Sequence, residues 1–181
     1  MLRIVAGKYR SRMIEVPSEG TVPTKNRVRE ALFSSLGENV VGANVLDLFA
    51  GSGALGIESL SRGAAHWLFV DNAPEAVNVI QKNLASLGEK EGEVSLSDYR
   101  DALKGMGNPF DVVFLDPPYA DAEAYRESLR LLEEKKLLNP NALVYIEYEG
   151  DCPIDKTQYP AAKIPGQLPV ELRGAGASSR C

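Results

Sequence analysis

From residue 43 onward the chain alternates short apolar runs with stretches in which apolar residues recur every three to four positions. "NVLDLF" (44–49), "HWLFVD" (66–71), "EVSLS" (93–97), "FDVVFLD" (110–116) and "ALVYIEY" (142–148) read as strands. Between them, "ALGIESLSRG" (54–63), "PEAVNVIQKNLASLG" (74–88) and "DAEAYRESLRLLEEKK" (121–136) read as helices. Gly63 and Gly88 mark the ends of the first two, and Pro74 sits in the first turn of the second. Strands alternating with helices at this spacing predict an α/β fold, a doubly wound and mostly parallel sheet.

The two ends of the chain break this rhythm. Near the start, "RIVAG" and "MIEV" flank "KYRSR", which predicts a short hairpin with a basic turn. After "PSEGTVPT", the run "NRVREALFSSL" predicts an amphipathic helix. Its apolar face holds Val28, Ala31, Leu32, Ser35 and Leu36, and its other face Arg27, Arg29 and Glu30. Past Asp151, Pro153, Pro160, Pro165 and Pro169 interrupt every candidate element, and "GAGASSRC" reads as disordered. The division expected is therefore a basic hairpin-and-helix extension over 1–40 and a main domain over 41–181, with disorder from about residue 170.

Composition narrows the class. A hydrophobic fraction of 44% and a charged fraction of 25% are those of an ordinary globular domain. No apolar run has the length of a membrane span, and "MLRIVAGKYRSR" puts basic residues where a signal peptide needs its apolar core, so a cytoplasmic location is expected; a monomer is the expected state, although no feature of the sequence fixes it. Two cysteines, Cys152 and Cys181, and one histidine, His66, support neither a disulfide framework nor a metal site. The net charge of -5 is unevenly spread: residues 1–30 carry seven basic side chains against three acidic ones. A basic arm on an acidic body suits a polyanion, because phosphate neutralisation is local, although a solvated surface segment would look the same.

The first chemical motif is "VLDLFAGSGALGIE". Gly51, Gly53 and Gly56 stand in G-x-G-x-x-G register after a strand, and Asp71 follows twenty residues past Gly51, which taken alone matches a dinucleotide-binding turn. Asp47, four positions before Gly51, argues otherwise, since a carboxylate there repels pyrophosphate and welcomes a cation. The run D-x-F-x-G-S-G resembles motif I of S-adenosylmethionine-dependent methyltransferases. That resemblance implies a cofactor site of Asp47, Phe49, Ala50, Gly51, Ser52 and Gly53, with Asp71 and Asn72 at the ribose. After the third strand of this series Asp98 and Tyr99 match the adenine position of the superfamily, with Asp101 as the competitor; both acids could equally cap the next helix.

The second motif is "VVFLDPPYAD". Four apolar residues deliver Asp116 to the carboxyl edge of the sheet, and Pro117 and Pro118 stiffen the loop that follows. An exocyclic amine offers two hydrogens, which the Asp116 carboxylate and the Pro117 carbonyl can accept, while Tyr119 offers a face for a planar base. Asp116, Pro117, Pro118 and Tyr119 thus look like the catalytic motif of amino-methyltransferases. Asp rather than Asn at 116 weighs against the glutamine-modifying class.

The N-terminal segment narrows the substrate. "RIVAGKYRSRMIEVP" and P-T-x-x-R-V-R-E-A-L-F over 23–33, with the glycine motif, closely resemble the bacterial 16S rRNA guanine-N2 methyltransferase family, over roughly residues 2–150. The resemblance implies a Rossmann-like class I methyltransferase fold, S-adenosyl-L-methionine as cofactor, and a guanine in 16S rRNA, within the assembled or partly assembled small ribosomal subunit, as substrate. It also implies rRNA contacts by Lys8, Arg10, Arg12, Arg27 and Arg29. The C-terminal segment departs from the family, which closes with a basic, aromatic-rich hairpin. DNA adenine-N6 methylation is the alternative within enzymes, disfavoured because no target-recognition domain fits the length. An RNA-binding assembly factor without turnover is the alternative outside them.

Overall fold

The computed structural model describes residues 1–18, 26–89, 93–118, 121–148, 154 and 170–174. A two-stranded antiparallel hairpin, β1 (Leu2–Arg3) and β2 (Met13–Ile14), precedes helix α1 (Asn26–Leu36) and a 3-10 turn over Gly37–Val40. Then follow β3 (Asn44–Asp47), α2 (Ala54–Ser61), β4 (His66–Asp71), α3 (Pro74–Ser86), β5 (Glu93–Leu96), α4 (Tyr99–Gly105), β6 (Phe110–Leu115), α5 (Ala122–Glu134), β7 (Leu138–Tyr148) and β8 (Val170–Gly174). The six strands β3 to β8 form one parallel sheet in the order β5-β4-β3-β6-β7-β8. The order reverses between β3 and β6, and a crevice at the carboxyl ends of the strands is the consequence. Among the described residues no helix is long and apolar enough to cross a membrane.

Alternation along the strands sends side chains into two layers. Leu46, Val113, Leu115, Val144 and Ile146 pack with Leu103 of α4 and Tyr125, Leu129 and Leu132 of α5. Val45, Val112, Phe114 and Tyr145 face the other way, against Leu32, Phe33 and Leu36 of α1 and Leu55 of α2. The same alternation places Asp47, two positions after Val45, on the α1 side at its strand's carboxyl end.

Among the described residues the N-terminal extension has no core of its own. Ile4, Tyr9 and Ile14 share a cluster with Ile57 and Leu60 of α2 and Ile80 and Leu84 of α3. Burying each contributes about 1.5–3 kcal/mol relative to exposure. Polar contacts fix the docking: the buried Glu58 carboxylate accepts the Val5 and Ala6 amides at 2.9 and 3.0 Å, and the Ser61 hydroxyl accepts the Tyr9 amide at 2.9 Å. Gly7, at φ +83°, is indispensable to this approach, since a Cβ there would lie 1.8 Å from the Ser61 carbonyl oxygen. From the hairpin the chain runs back along α3. Arg12 Nη2 donates to the Ser86 carbonyl, the Glu15 amide to Asn83 Oδ1, and the Ser18 amide to Glu75.

Two expectations change. Helix α1 buries Arg29, Leu32, Phe33 and Leu36 and exposes Ala31 and Ser35, so its inward face is turned by about one residue from the expected one. Phe33, its ring tilted by 57° against Phe114 at 5.9 Å between centroids, anchors that orientation. At the other end, Val170–Gly174 form a strand parallel to β7, with Val170 opposite Val144, where disorder was expected. "VELRG" carries a short strand pattern that the surrounding prolines obscured; residues 175–181 lie outside the described residues.

Candidate functional site

A cavity of about 450 Å³ opens at the carboxyl ends of β3, β4, β5 and β6. Pockets of a few hundred Å³ are the size that takes a cofactor. Among the described residues, five carboxylate side chains line it, Asp71, Glu75, Asp98, Asp116 and Asp121, against one cation, Arg100. That balance rejects a pyrophosphate and suits a cationic ligand rich in hydroxyls.

The glycine turn is held from two sides. Asp71, at the end of β4, accepts the Gly51 amide through Oδ2 at 2.8 Å and the Ala73 amide through Oδ1 at 2.9 Å. Each oxygen keeps a lone pair for a ligand hydroxyl. Asp47 holds the turn from beneath: it is 2% exposed and accepts the Gly56 amide through Oδ2 at 3.0 Å. It lies beneath the turn rather than in the cavity lining. Burial pushes its carboxyl up to about 7, the Gly56 amide opposes that rise, and the charge of Asp71 adds to it. Gly56 itself answers to packing, because a Cβ there would lie 2.2 Å from the Phe69 ring. Ala50, Ser52 and Gly53 are buried in the turn and Gly53, at φ +76°, caps α2.

At the other end of the cavity Phe49 and Tyr99 set their rings 5.1 Å apart, tilted by 49°. Among the described residues the buried Tyr99 hydroxyl has no hydrogen-bond partner, and burial raises its pKa. Asp98 caps α4, accepting the Arg100 amide at 2.9 Å, and lines the cavity as well. Asp101 is exposed and lies outside the lining, so of the two acids only Asp98 lines the cavity. The capping role and the lining role are thus held by one residue. Asn72 lines the cavity between the two ends.

Asp116, Pro117 and Pro118 form the wall beyond β6. The Pro118 carbonyl accepts the Asp121 amide at 2.9 Å, closing a turn that does not engage the Pro117 carbonyl. Tyr119 lies outside the described residues. Burial raises the pKa of Asp116 well above the carboxylate range, and the negative charges of Glu147 and Asp47 raise it further.

The expected nucleic-acid residues separate into three groups. Lys8, Arg10 and Arg12 sit on the exposed hairpin; Lys8 pairs with Glu89 at 3.0 Å, and Arg12 reaches the C-terminal end of α3. Arg27 is exposed on α1. Arg29 is 1% exposed and donates through Nη2 to the Arg3 carbonyl and Asn26 Oδ1. It ties α1 to β1 and is removed from the set of surface contacts. Sequence reasoning missed Glu147, Glu58 and Asn83. Their signal was a charged or amide residue inside an otherwise apolar strand or helix, which marks a buried partner but not its identity.

Comparison with known proteins adds to this geometry. The family described as conserved hypothetical protein 95 matches residues 2–164. Ribosomal RNA small subunit methyltransferase D of Escherichia coli strain K12 is 41% identical over 149 residues, 82% of this chain and 75% of the relative. The protein of the same name from Haemophilus influenzae is 42% identical over 158 residues, 84% of this chain and 81% of the relative. The crystal structure of a Haemophilus influenzae protein described as a methylase superposes with a TM-score of 0.72 at 38% identity, covering 87% of each chain.

Proposed function

The chain belongs to the family of ribosomal RNA small subunit methyltransferase D, and from that membership we propose that it transfers a methyl group from S-adenosylmethionine to the exocyclic N2 amine of a guanine in small-subunit rRNA. The observation that carries the reading is the placement of Asp116, with the Pro117 carbonyl beside it, on the wall of a carboxylate-lined cavity. S-adenosylmethionine fits that lining: its two positive charges suit the acidic wall, and its ribose hydroxyls suit the open lone pairs of Asp71. Its adenine suits the Phe49 and Tyr99 rings with Asp98 beside them. The cofactor supplies an electrophilic methyl group on a sulfonium.

The chain's own residues orient the acceptor. Asp116 and the Pro117 carbonyl accept the two amine hydrogens, which turns the nitrogen lone pair toward the cavity, and Tyr119 stacks on the base. Positioning of this kind is the main contribution a protein makes to an in-line displacement. Arg10, Arg12, Lys8 and Arg27 supply cations for rRNA phosphates. The hairpin turn lies at the far end of α3 from the cavity, and α3 spans thirteen residues. At 1.5 Å per residue this separates the basic turn from the α3 end of the cavity by roughly 20 Å, a footprint suited to folded RNA in a subunit.

Calorimetry with S-adenosylhomocysteine and with NAD tests the cofactor: binding of the first alone is expected, and binding of NAD alone contradicts the proposal. Label transfer from methyl-tritiated S-adenosylmethionine to undermethylated small subunits, naked rRNA and duplex DNA then tests the substrate. Incorporation into subunits is expected; incorporation into DNA alone points to the adenine-N6 reading.

A further inference from the structure

Asn83, in the last turn of α3, is 2% exposed and joins two segments that serve different ligands. Its Oδ1 accepts the Glu15 amide at 2.7 Å, and its side-chain nitrogen donates to the Glu15 carbonyl at 3.0 Å and to the Ser52 carbonyl at 3.2 Å. Reversing the amide would set its oxygen against both carbonyls, so the partners fix its orientation. Ser52 belongs to the glycine turn, and its neighbour Gly51 is the residue that Asp71 holds. Glu15 follows directly on β2, the strand that leaves the basic turn of Lys8, Arg10 and Arg12.

Beyond this clamp the same segment reaches the cofactor cavity. Pro17 is buried and lines the wall. Ser18 donates through its amide and its hydroxyl to Glu75 Oε1, at 2.8 and 2.6 Å, and Glu75 lines the cavity as well. The strap from Ile14 to Ser18 thus starts in the cluster that docks the hairpin and ends at the cavity. Between Ile14 and Pro17 the chain can span at most about 11 Å, which leaves it little slack.

We propose that Asn83 couples the two binding events: by tying the strap to the glycine turn, it makes rRNA engagement by the hairpin and cofactor binding strengthen each other. The inference rests on the functional reading given above. Displacing the strap either leaves a buried amide without its partners or drags the Ser52 carbonyl along, and both cost free energy. A ligand that fixes the hairpin therefore orders strap and turn in advance, and the other ligand pays less for ordering them. Asn83 is outside the cavity lining. It acts through Glu15 and Ser52, as a positioning residue.

The test measures the affinity of the full chain for undermethylated small subunits with and without saturating S-adenosylhomocysteine. In the wild-type protein this ligand is expected to tighten subunit binding roughly 5- to 10-fold, and linkage requires the same factor when the subunit is the ligand held saturating. In Asn83→Ala both ligands should still bind, each more weakly, with the factor reduced to about one. A merely structural role would weaken both affinities and leave the factor unmoved. Hydrogen exchange on the subunit-free protein gives a second readout: S-adenosylhomocysteine should slow exchange at the Glu15 amide, which lies outside the cavity lining, in the wild-type protein but not in Asn83→Ala. A wild-type factor of one or less overturns the proposal whether or not the variant folds, as does an unchanged factor in folded Asn83→Ala. If either ligand fails to bind the wild-type protein, the functional reading falls and takes this inference with it; binding of both without coupling sinks the inference alone.

Discussion

The Asp71 carboxylate accepts the Gly51 amide at 2.8 Å, so the end of β4 and the glycine turn after β3 are joined by one side chain before any ligand arrives. Asp71→Ala removes this bond together with two candidate acceptors for ribose hydroxyls. Leaving such groups unpaired costs about 1–3 kcal/mol. Affinity for S-adenosylhomocysteine, measured by calorimetry, should fall roughly 10- to 100-fold, and amide exchange at Gly51 should quicken.

Burial of Asp47 makes the cofactor-free protein sensitive to pH in an unusual direction. Its folded-state carboxyl is raised from 3.8 to about 7, so the native chain holds its proton more tightly than the unfolded chain. That contribution is fully present below the ordinary carboxylate range and is lost as pH rises from about 4 through about 7. Asp47→Asn keeps an oxygen for the Gly56 amide and removes the charge. Thermal unfolding should show the variant more stable than wild type at pH 8 by a few kcal/mol, with the gap closing near pH 4. A gap independent of pH contradicts the assignment.

Arg10 and Arg29 carry the same charge and should behave in opposite ways. Arg10→Ala should leave the melting temperature unchanged, weaken binding to small subunits, and reduce the slope of log K against log salt by about one. Arg29→Ala should lower stability by about 1–3 kcal/mol, because the Arg3 carbonyl loses its buried donor. Melting curves and salt titrations on both variants separate the two roles.

The docking of the extension predicts a third stability effect. Gly7→Ala forces a Cβ against the Ser61 carbonyl at a left-handed backbone position. A loss on the order of 2–4 kcal/mol is expected, with exchange rising at the Val5, Ala6 and Tyr9 amides that Glu58 and Ser61 hold.

What the sequence made legible is what is local. The glycine turn, Asp71 and Asp116 each sit at a strand end that the βα rhythm locates, and the structure brings all of them to one crevice. The hairpin and α1 were legible as elements from their apolar spacing, but Arg29 was not legible as buried: a single residue of rotation separates the two possible faces, and Phe33 against Phe114 decides between them. Asp47 was recognisable by motif, while its position under the turn depends on the path of the Gly56 amide. Glu147 and Glu58 lacked a motif altogether, because their partners are 31 and more than 50 residues away in sequence or across the sheet. The strand Val170–Gly174 has a short local pattern that the surrounding prolines obscured, and its place beside β7 is a pairing between distant segments.

The central claim is that Asp116 holds the exocyclic amine of a guanine for methylation. Mass-spectrometric nucleoside analysis of undermethylated small subunits, after incubation with S-adenosylmethionine and either the wild-type protein or Asp116→Ala, tests it most directly. The account predicts N2-methylguanosine with the wild-type protein and none with the variant, which still binds S-adenosylhomocysteine. N6-methyladenosine in place of N2-methylguanosine, or undiminished methylation by Asp116→Ala, would contradict it.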